Sequence, residues 1–269
     1  MRVVTLVTTM HRDNVAECLA LYDAMNIHGD AVISNQGAVN FKEIVEHNGN
    51  KVTCLSSDKR GVSLNRNTAI AAADGDVFVI ADDDLVYRDD YAKMVVSVYD
   101  ENPDVGVVVF DVPSTNPDRP SPTLDSTRVL SRFEAVKFSG FQITFRAATL
   151  PKAVRFNEFF GPGAKYLTGG EDGLFLDDAY RAGLKIMFAT VEIATVTHAD
   201  STWASVEWRE PYFLGKGALF ASIHPQKARA YSLYHAFSTF SRYKRNLSFF
   251  KALRLMEQGR KQYIADTKH

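Results

Sequence analysis

The chain has 269 residues, 46% of them hydrophobic, and its 31 basic and 32 acidic residues give a formal net charge of −1. This composition supplies enough apolar surface for a large core, and it excludes a disordered chain and a general binder of nucleic acids or other polyanions. No apolar stretch approaches the roughly 20 residues of a membrane-spanning helix, and the N-terminal segment is too short for a signal peptide. We therefore expect a cytoplasmic protein. Cys18 and Cys54 lie in a predicted helix and a predicted strand, which argues against a disulfide framework.

The first half of the chain alternates predicted strands and helices. Apolar, β-branched runs predict strands, and apolar residues at helical spacing predict helices. The strands are predicted at 3–8, 30–34, 51–55, 76–81 and 106–112, and the helices at 14–25, 41–48, 62–73 and 90–99. The helix at 41–48 rests on the spacing of Phe41, Ile44 and Val45 and on Asn48-Gly49 as its C-terminal cap. Such alternation predicts an α/β fold with a mostly parallel, Rossmann-like central sheet flanked by helices.

The second half is less regular. Four prolines between 113 and 127 predict a surface loop, and Gly161-Pro162-Gly163 predicts a turn. Segment 141–145 is a predicted strand and segment 171–182 a predicted helix. Two further segments, 185–191 and 193–197, are expected to return to the sheet.

The last part of the chain differs in charge from the rest. Residues 224–269 carry ten Lys and Arg against two acids, a net charge of +8, which leaves −9 on residues 1–223. The same segment is rich in aromatic residues. We expect a basic, aromatic, helical C-terminal region over 206–269, following a larger α/β domain over 1–205.

Asp82-Asp83-Asp84 stands directly after the predicted strand at 76–81. Adjacent carboxylates repel one another, so a folded protein keeps them together where a cation is bound or where they face solvent. Ligands of open α/β sheets bind just beyond the carboxyl ends of the strands, and hard divalent ions prefer oxygen ligands, including substrate phosphates. The triplet therefore predicts a site for a metal-bound diphosphate. The alternative is a solvated acidic turn that caps the next helix.

Weaker candidates lie elsewhere in the chain. Glu171 and Asp172 follow Gly169-Gly170 at a helix start, where one carboxylate could accept a proton from an attacking hydroxyl, although acids in a first helical turn are commonplace. Arg66 and Asn67 lie early in a predicted helix, and exposed arginines there are usually just solvated. Two more residues are single candidates: His198 as a metal ligand, against a structural histidine, and Trp203 as a platform for a sugar ring, against a core residue.

The order of these motifs resembles the family 2 glycosyltransferases of the GT-A fold. The resemblance covers about residues 1–200 and rests on Arg66-Asn67, Asp82-Asp83-Asp84, Glu171-Asp172 and His198 in that order. The run from Gly161-Pro162-Gly163 onwards is similar to the bacterial branch that builds capsules, exopolysaccharides and O-chains. The resemblance implies a nucleotide-sugar half at 1–112 and an acceptor half at 113–205.

The resemblance also implies roles for the donor side of the site. Asp84 and Asp82 would bind a divalent cation, Mn²⁺ or Mg²⁺, and His198 would complete its shell. Asp82 and Asp83 would contact the nucleotide. The remaining donor-binding residues would be Thr8, Thr9, Arg66 and Asn67.

On the acceptor side, Asp172 matches the usual catalytic base, and Glu171 would orient the acceptor or the base. Gly170 and Trp203 would contact the acceptor. Two segments depart from the family pattern: Thr8-Thr9-Met10-His11-Arg12 after the first strand and Ser34-Asn35-Gln36-Gly37 after the second. The amide of Asn35 offers a donor and an acceptor to a uracil edge, which predicts a UDP-sugar.

The expected reaction is an inverting transfer to a glycan or to a polyprenyl-diphosphate-linked acceptor. A basic, aromatic tail at 224–269 fits the inner face of an anionic membrane, and packing on the catalytic domain or within a homodimer is the alternative. Two other functions stay open: a sugar nucleotidylyltransferase and a non-catalytic glycan-binding protein. The first is expected to carry a glycine-rich phosphate loop after strand one, whereas Thr8–Asp13 contains no glycine.

Overall fold

The computed structural model describes residues 1–198 and 208–268. Contacts between Cα atoms divide the chain into two compact units. The sheet unit comprises Met1–Arg60, Leu64–Phe156 and Asp172–Ala199, and the helical unit comprises Gly61–Ser63, Asn157–Glu171 and Asp200–His269.

The sheet unit contains all the strands of the described residues. In chain order they are β1 (Val3–Met10), β2 (Asp30–Gln36), β3 (Phe41–His47), β4 (Asn50–Ser57), β5 (Val77–Asp82), β6 (Leu85–Tyr87), β7 (Val107–Asp111), β8 (Arg128–Val129), β9 (Ile143–Arg146), β10 (Ile186–Glu192) and β11 (Ala194–Val196). The helices up to residue 181 are α1 (Val15–Ala24), α2 (Val62–Ala72), α3 (Tyr91–Glu101), α4 (Arg132–Ala135) and α5 (Glu171–Arg181).

The main sheet has the strand order β3-β4-β2-β1-β5-β9-β7-β10-β8. Strands β4, β2, β1 and β5 are parallel neighbours, and β7 pairs in parallel with β10. Antiparallel strands β3, β9 and β8 complete the sheet. The predicted α/β class with a parallel core is therefore confirmed, and the sheet places the carboxyl ends of β1, β2 and β5 along one edge.

Helices cover both faces of this sheet. On one face, Val7 and Val79 pack in a core cluster with Tyr22 of α1 and Val95 of α3. On the other face, Leu6, Ile80 and Val109 join a cluster with Ala69 of α2 and Phe175 of α5. Strands that are buried on both faces consist of continuous apolar residues, whereas strands buried on one face alternate apolar and polar residues. The continuous runs explain why the positions of these strands could be predicted from the sequence.

The helix predicted at 41–48 is wrong, because this segment is strand β3. It pairs antiparallel with β4, from Phe41 opposite Ser56 to His47 opposite Asn50. Asn48 and Gly49 both have positive φ, 53° and 76°, and form the two-residue turn of a hairpin. Asn-Gly is the typical sequence of such a turn, so it marks a chain reversal here and not a helix cap.

Two later segments also differ from the prediction. Residues Gly140–Gln142 form a single 3₁₀ turn, and the strand begins only at Ile143. The segment at 193–197 leaves the main sheet: β11 pairs with β6 in a separate two-stranded sheet. The reason is the turn after Asp82, which carries β6 away from the main sheet and provides a new edge for β11. The prediction for 185–191 is confirmed by β10.

The helical unit contains the predicted C-terminal helices. They are α6 (Glu210–Ile223), α7 (Ala228–Ser238), α8 (Phe240–Tyr243) and α9 (Phe249–Asp266). Helices α6 and α9 cross at backbone contact, since a Cβ added to Gly217 would lie 1.8 Å from the carbonyl oxygen of Met256, and one added to Gly259 would lie 1.8 Å from that of Leu214. Across residues 1–198 and 208–268, no helix is both long enough and apolar enough to span a membrane.

Candidate active site

The acidic triplet lies at the carboxyl ends of the central strands. Asp82 is the last residue of β5 and lies opposite Thr8 of the parallel strand β1. The Thr8 hydroxyl donates a hydrogen bond to Oδ1 of Asp82 at 3.3 Å, and the Thr9 hydroxyl donates one to Oδ2 of Asp83 at 2.6 Å. The two threonines predicted to bind the nucleotide thus lie directly beside the triplet.

One arginine joins the triplet to the predicted base. Arg66 of α2 is 3% exposed, and its guanidinium donates through Nη2 to Oδ1 of Asp82 at 2.9 Å and through Nη1 to Oδ1 of Asp172 at 2.6 Å. A planar guanidinium presents its N–H groups in a fixed fork, so two carboxylates from different elements can be held at once. Arg66 therefore joins two carboxylates, those of Asp82 and Asp172, that are 90 positions apart in the sequence.

Gly140 completes the support of Asp172. Its backbone N–H donates to Oδ2 of Asp172 at 2.8 Å. A Cβ at position 140 would lie 2.7 Å from both Nη2 of Arg66 and Oδ1 of Asp172, so only glycine leaves room for the ion pair. Gly140 was not among the predicted site residues; its only signal in the sequence is the pair Ser139-Gly140 directly before the predicted strand at 141–145, which is typical of a turn.

Asn67 lies close to this site, and its side chain forms hydrogen bonds with the backbone of Phe156. Its amide donates to the carbonyl oxygen of Phe156 at 2.9 Å and accepts from the N–H of Phe156 at 3.0 Å. The Phe156 ring in turn lies under the Arg66 guanidinium, 5.1 Å from its Cζ atom. Asn67 therefore positions the aromatic ring against which Arg66 packs.

Asn35 holds the loop that follows β1. Its Oδ1 accepts from the N–H of Arg12, and its Nδ2 donates to the carbonyl oxygen of Arg12 at 2.7 Å and to the Ser56 hydroxyl at 2.8 Å. The side chain is 1% exposed. Its amide groups are thus engaged by the protein itself, and the role seen here is to fix Arg12, whose Nη2 lies 3.7 Å from Oδ2 of Asp83.

Asp84 and His198 meet through the backbone. The N–H of His198 donates to Oδ2 of Asp84 at 3.0 Å, and the His198 ring packs edge-on against Phe141 with 5.6 Å between centroids. Burial raises the pKa of Asp84 above its ordinary value, and the neighbouring charge of Asp82 raises it further. The negative charge of Asp84 is therefore opposed first by burial and then by Asp82.

The charges at this edge of the sheet do not balance. Four carboxylates, those of Asp82, Asp83, Asp84 and Asp172, face the guanidinium groups of Arg66 and Arg12, which leaves two negative charges in excess. In the part of the chain that the structure describes, no three His, Cys, Asp or Glu side chains are arranged as a complete metal cage. Mg²⁺-type sites commonly use one or two carboxylates and take the other ligands from substrate phosphates, so the residues present fit a divalent cation of that kind.

Glu171 and Gly170, two more of the residues predicted on the acceptor side, belong to the helical unit. Glu171 is 5% exposed, and a Cβ at Gly161 would lie 3.2 Å from its carboxyl carbon. Gly170 has a φ of 122°, and a Cβ there would lie 2.7 Å from Cδ2 of Leu219 on α6. The backbone at Gly170 therefore requires glycine for packing as well as conformation. Trp203, the predicted sugar platform, lies outside the described residues.

Burial also affects the predicted base. The pKa of Asp172 is raised by burial, an effect that the Arg66 charge opposes and the Asp82 charge reinforces. A carboxylate with a raised pKa binds a proton more strongly than an ordinary one, which suits a group that must accept a proton.

One known family matches the central part of the chain. Residues 36–160 match the model of glycosyl transferase family 2, a segment that contains Arg66, Gly140 and Asp82–Asp84. Over this segment, which is just under half of the chain, the match agrees with the resemblance predicted from the motif order. No curated protein sequence matches the chain.

Solved structures of similar fold include two that hold a nucleotide sugar. The S. aureus TarS 1–349 structure in complex with UDP-GlcNAc is 18% identical, with a TM-score of 0.60 over 83% of this chain and 66% of that one. The mannosyltransferase PcManGT from Pyrobaculum calidifontis, in complex with GDP-Man and Mn²⁺, is 15% identical, with a TM-score of 0.51 over 98% of this chain and 75% of that one. At these identities the similarity establishes the GT-A fold.

The raised pKa of Asp84 leads to a stability prediction. The folded state binds the proton of this carboxyl more strongly than the unfolded state, so the free energy of unfolding falls as the pH rises from about 4 through the raised value. Asp84→Asn removes the charge and keeps an oxygen that can accept from the His198 N–H. We expect its free energy of unfolding in urea to be about 1 kcal/mol higher than that of the wild type at pH 7 in chelator.

The matched control is Asp118→Asn, an exposed aspartate whose substitution should change the free energy of unfolding by less than about 0.5 kcal/mol. At pH 3 the gain from Asp84→Asn should vanish, because the wild-type carboxyl is then protonated. A variant less stable than the wild type at pH 7 would show that the triplet is not under repulsion.

Proposed function

We propose that this chain transfers a sugar from a nucleotide diphosphate sugar, a UDP-sugar, to a hydroxyl group of a glycan or a polyprenyl-diphosphate-linked acceptor in the synthesis of a bacterial surface polysaccharide. The transfer inverts the anomeric configuration. The match of residues 36–160 to the model of glycosyl transferase family 2 supports a glycosyltransferase. The bound UDP-GlcNAc and GDP-Man of the TarS and PcManGT structures agree with a nucleotide-sugar donor at this type of fold.

The ion-pair bridge of Arg66 is the observation that carries this proposal. One guanidinium contacts Asp82, at the predicted donor side, and Asp172, the predicted base. A leaving diphosphate gains negative charge as its bond to the sugar breaks, and a guanidinium beside it stabilises that charge. The same contact fixes the Asp172 carboxylate where an acceptor hydroxyl would approach.

The residues that would hold a divalent cation are Asp84 and Asp82. Both supply carboxylate oxygens, and the local excess of negative charge favours a doubly charged ion. When bound, Mn²⁺ or Mg²⁺ supplies Lewis-acid stabilisation of the phosphate oxygens. His198 would act here through its backbone N–H, which orients the Asp84 carboxylate.

Asp172 is the protein group that acts directly in the chemical step, and Gly140 and Arg66 hold it in place. Asp172 accepts the proton of the acceptor hydroxyl while the hydroxyl oxygen forms a bond to the anomeric carbon on the face opposite the diphosphate. The bond from that carbon to the phosphate oxygen breaks, and its electron pair leaves with the nucleoside diphosphate. Gly140 and Arg66 hold the two oxygens of Asp172 throughout.

Replacing the predicted base should lower the rate of the reaction while the protein stays folded. Asp172→Asn keeps the shape of the side chain and abolishes its basicity, so turnover should fall about 10²- to 10⁴-fold, as expected for the loss of a general base. The measurement is the rate of nucleoside diphosphate release with the acceptor present. Asp178→Asn on the same helix α5 is the control, because its side chain is exposed and six residues away. Equal rates for wild type and Asp172→Asn would rule out this base.

A donor panel tests the reaction class. The protein is incubated with nucleotide sugars in one set and with nucleoside triphosphates plus sugar 1-phosphates in another, each with Mn²⁺ or with chelator. We expect slow release of UDP from one nucleotide sugar, dependent on Mn²⁺ because the excess charge at Asp82–Asp84 is otherwise uncompensated. Release of pyrophosphate in the second set would identify a nucleotidylyltransferase, and full activity in chelator would contradict the cation site.

A further inference from the structure

Helix α7 exposes an apolar stripe to solvent. Leu233, Tyr234 and Phe237 are 54%, 74% and 77% exposed, and their spacing places them on one side of the helix. The opposite side, with Ala228, Ser232 and Ala236, is buried. Helix α7 therefore presents three large apolar side chains outward, whereas its Tyr231 and His235 pack against Phe220 of α6.

Further exposed aromatic side chains follow in the next two helices. Phe240 at the start of α8 contacts Phe249 with 6.0 Å between ring centroids, and Phe249 contacts Phe250 at 5.7 Å. Phe250 is 80% exposed. We call the exposed set the aromatic surface: Leu233, Tyr234, Phe237, Phe240 and Phe250.

The chain around the aromatic surface is uniformly cationic. Residues 227–256 contain seven Lys and Arg and no Asp or Glu. Arg229 and Lys251 pair with Glu257 and Glu210, whereas Lys244 and Arg245 are exposed and form no ion pair within the described residues. Several exposed apolar side chains in one segment with unpaired cations and no acids are unusual for a protein surface that faces only water.

We propose that the aromatic surface, with Lys244 and Arg245, docks on an anionic lipid bilayer. Aromatic and leucine side chains enter the headgroup boundary while lysine and arginine keep their charges at the phosphates, and the two contributions add. A second copy of the chain fits less well, because a symmetric contact through this surface would bring the unpaired cations of both copies, Lys244 and Arg245, towards one another.

The test is sedimentation of the chain with two kinds of vesicle. One kind is phosphatidylcholine alone, and in the other about a third of the lipid is phosphatidylglycerol, which is anionic. The wild type should bind the anionic vesicles and bind them less as salt is raised. Lys244→Gln with Arg245→Gln should weaken binding about thirty-fold, since each cation near the surface contributes about 1 kcal/mol. Leu233→Gln with Phe237→Gln should weaken it at least about tenfold.

Matched controls lie on the sheet unit. Phe133→Gln removes an aromatic ring that is 76% exposed, and Lys42→Gln with Lys93→Gln removes two exposed cations, so each changes composition as the test variants do. Both controls should bind vesicles as the wild type does. Circular dichroism of every variant should match that of the wild type, because all the substituted side chains are exposed.

Three results would overturn the proposal. One is equal binding to neutral and anionic vesicles, and another is binding that the test variants leave unchanged. The third is a dimer in sedimentation equilibrium that Leu233→Gln with Phe237→Gln dissociates, since the aromatic surface would then cover a second copy. The assay contains neither donor nor acceptor, so its outcome is independent of the proposed transferase reaction.

Discussion

The candidate site depends on one buried cation shared by two carboxylates. Arg66 contacts Asp82 at the end of β5 and Asp172 in the first turn of α5, and the Phe156 ring lies against its guanidinium. Removing a buried charge from water costs several kcal/mol, which is recovered only when its partners are well placed. Lysine could not make both contacts in this form, because it lacks the planar fork of N–H groups. The site is therefore assembled by folding, and each partner depends on the others.

The surrounding acids give the site a charge that the protein alone does not neutralise. Thr9 and Arg12 restrain Asp83, and the backbone N–H of His198 restrains Asp84, yet the pKa of Asp84 is still raised by burial and by Asp82. Under the proposed function, such an arrangement lowers the stability of the free protein and provides affinity for a cation and the phosphates that accompany it. The proposal would thereby account for adjacent aspartates at the edge of an otherwise apolar sheet.

Local pattern predicted much of the fold and less of the site. The apolar runs of β1, β2, β4 and β5 are legible because both faces of the sheet are covered. Strand β3 was predicted as a helix because Phe41, Ile44 and Val45 have helical spacing. Its pairing with β4, which the sequence does not show, makes the segment a strand. Gly140 could not be predicted, since its role arises from contacts with residues distant in sequence. In the tail, sequence showed the aromatic content, but packing determines that Tyr243 is buried while Phe237 is exposed.

The most direct measurement is calorimetric titration of the protein with UDP in the presence of Mn²⁺, compared between the wild type and Arg66→Lys. If the guanidinium bridge organises a diphosphate site, the wild type binds one UDP per chain, chelator abolishes the binding, and Arg66→Lys weakens it at least about tenfold, the loss of about 1.4 kcal/mol. Binding of equal strength in the two proteins, with the variant folded, would contradict the role assigned to Arg66 and with it the organisation of the site.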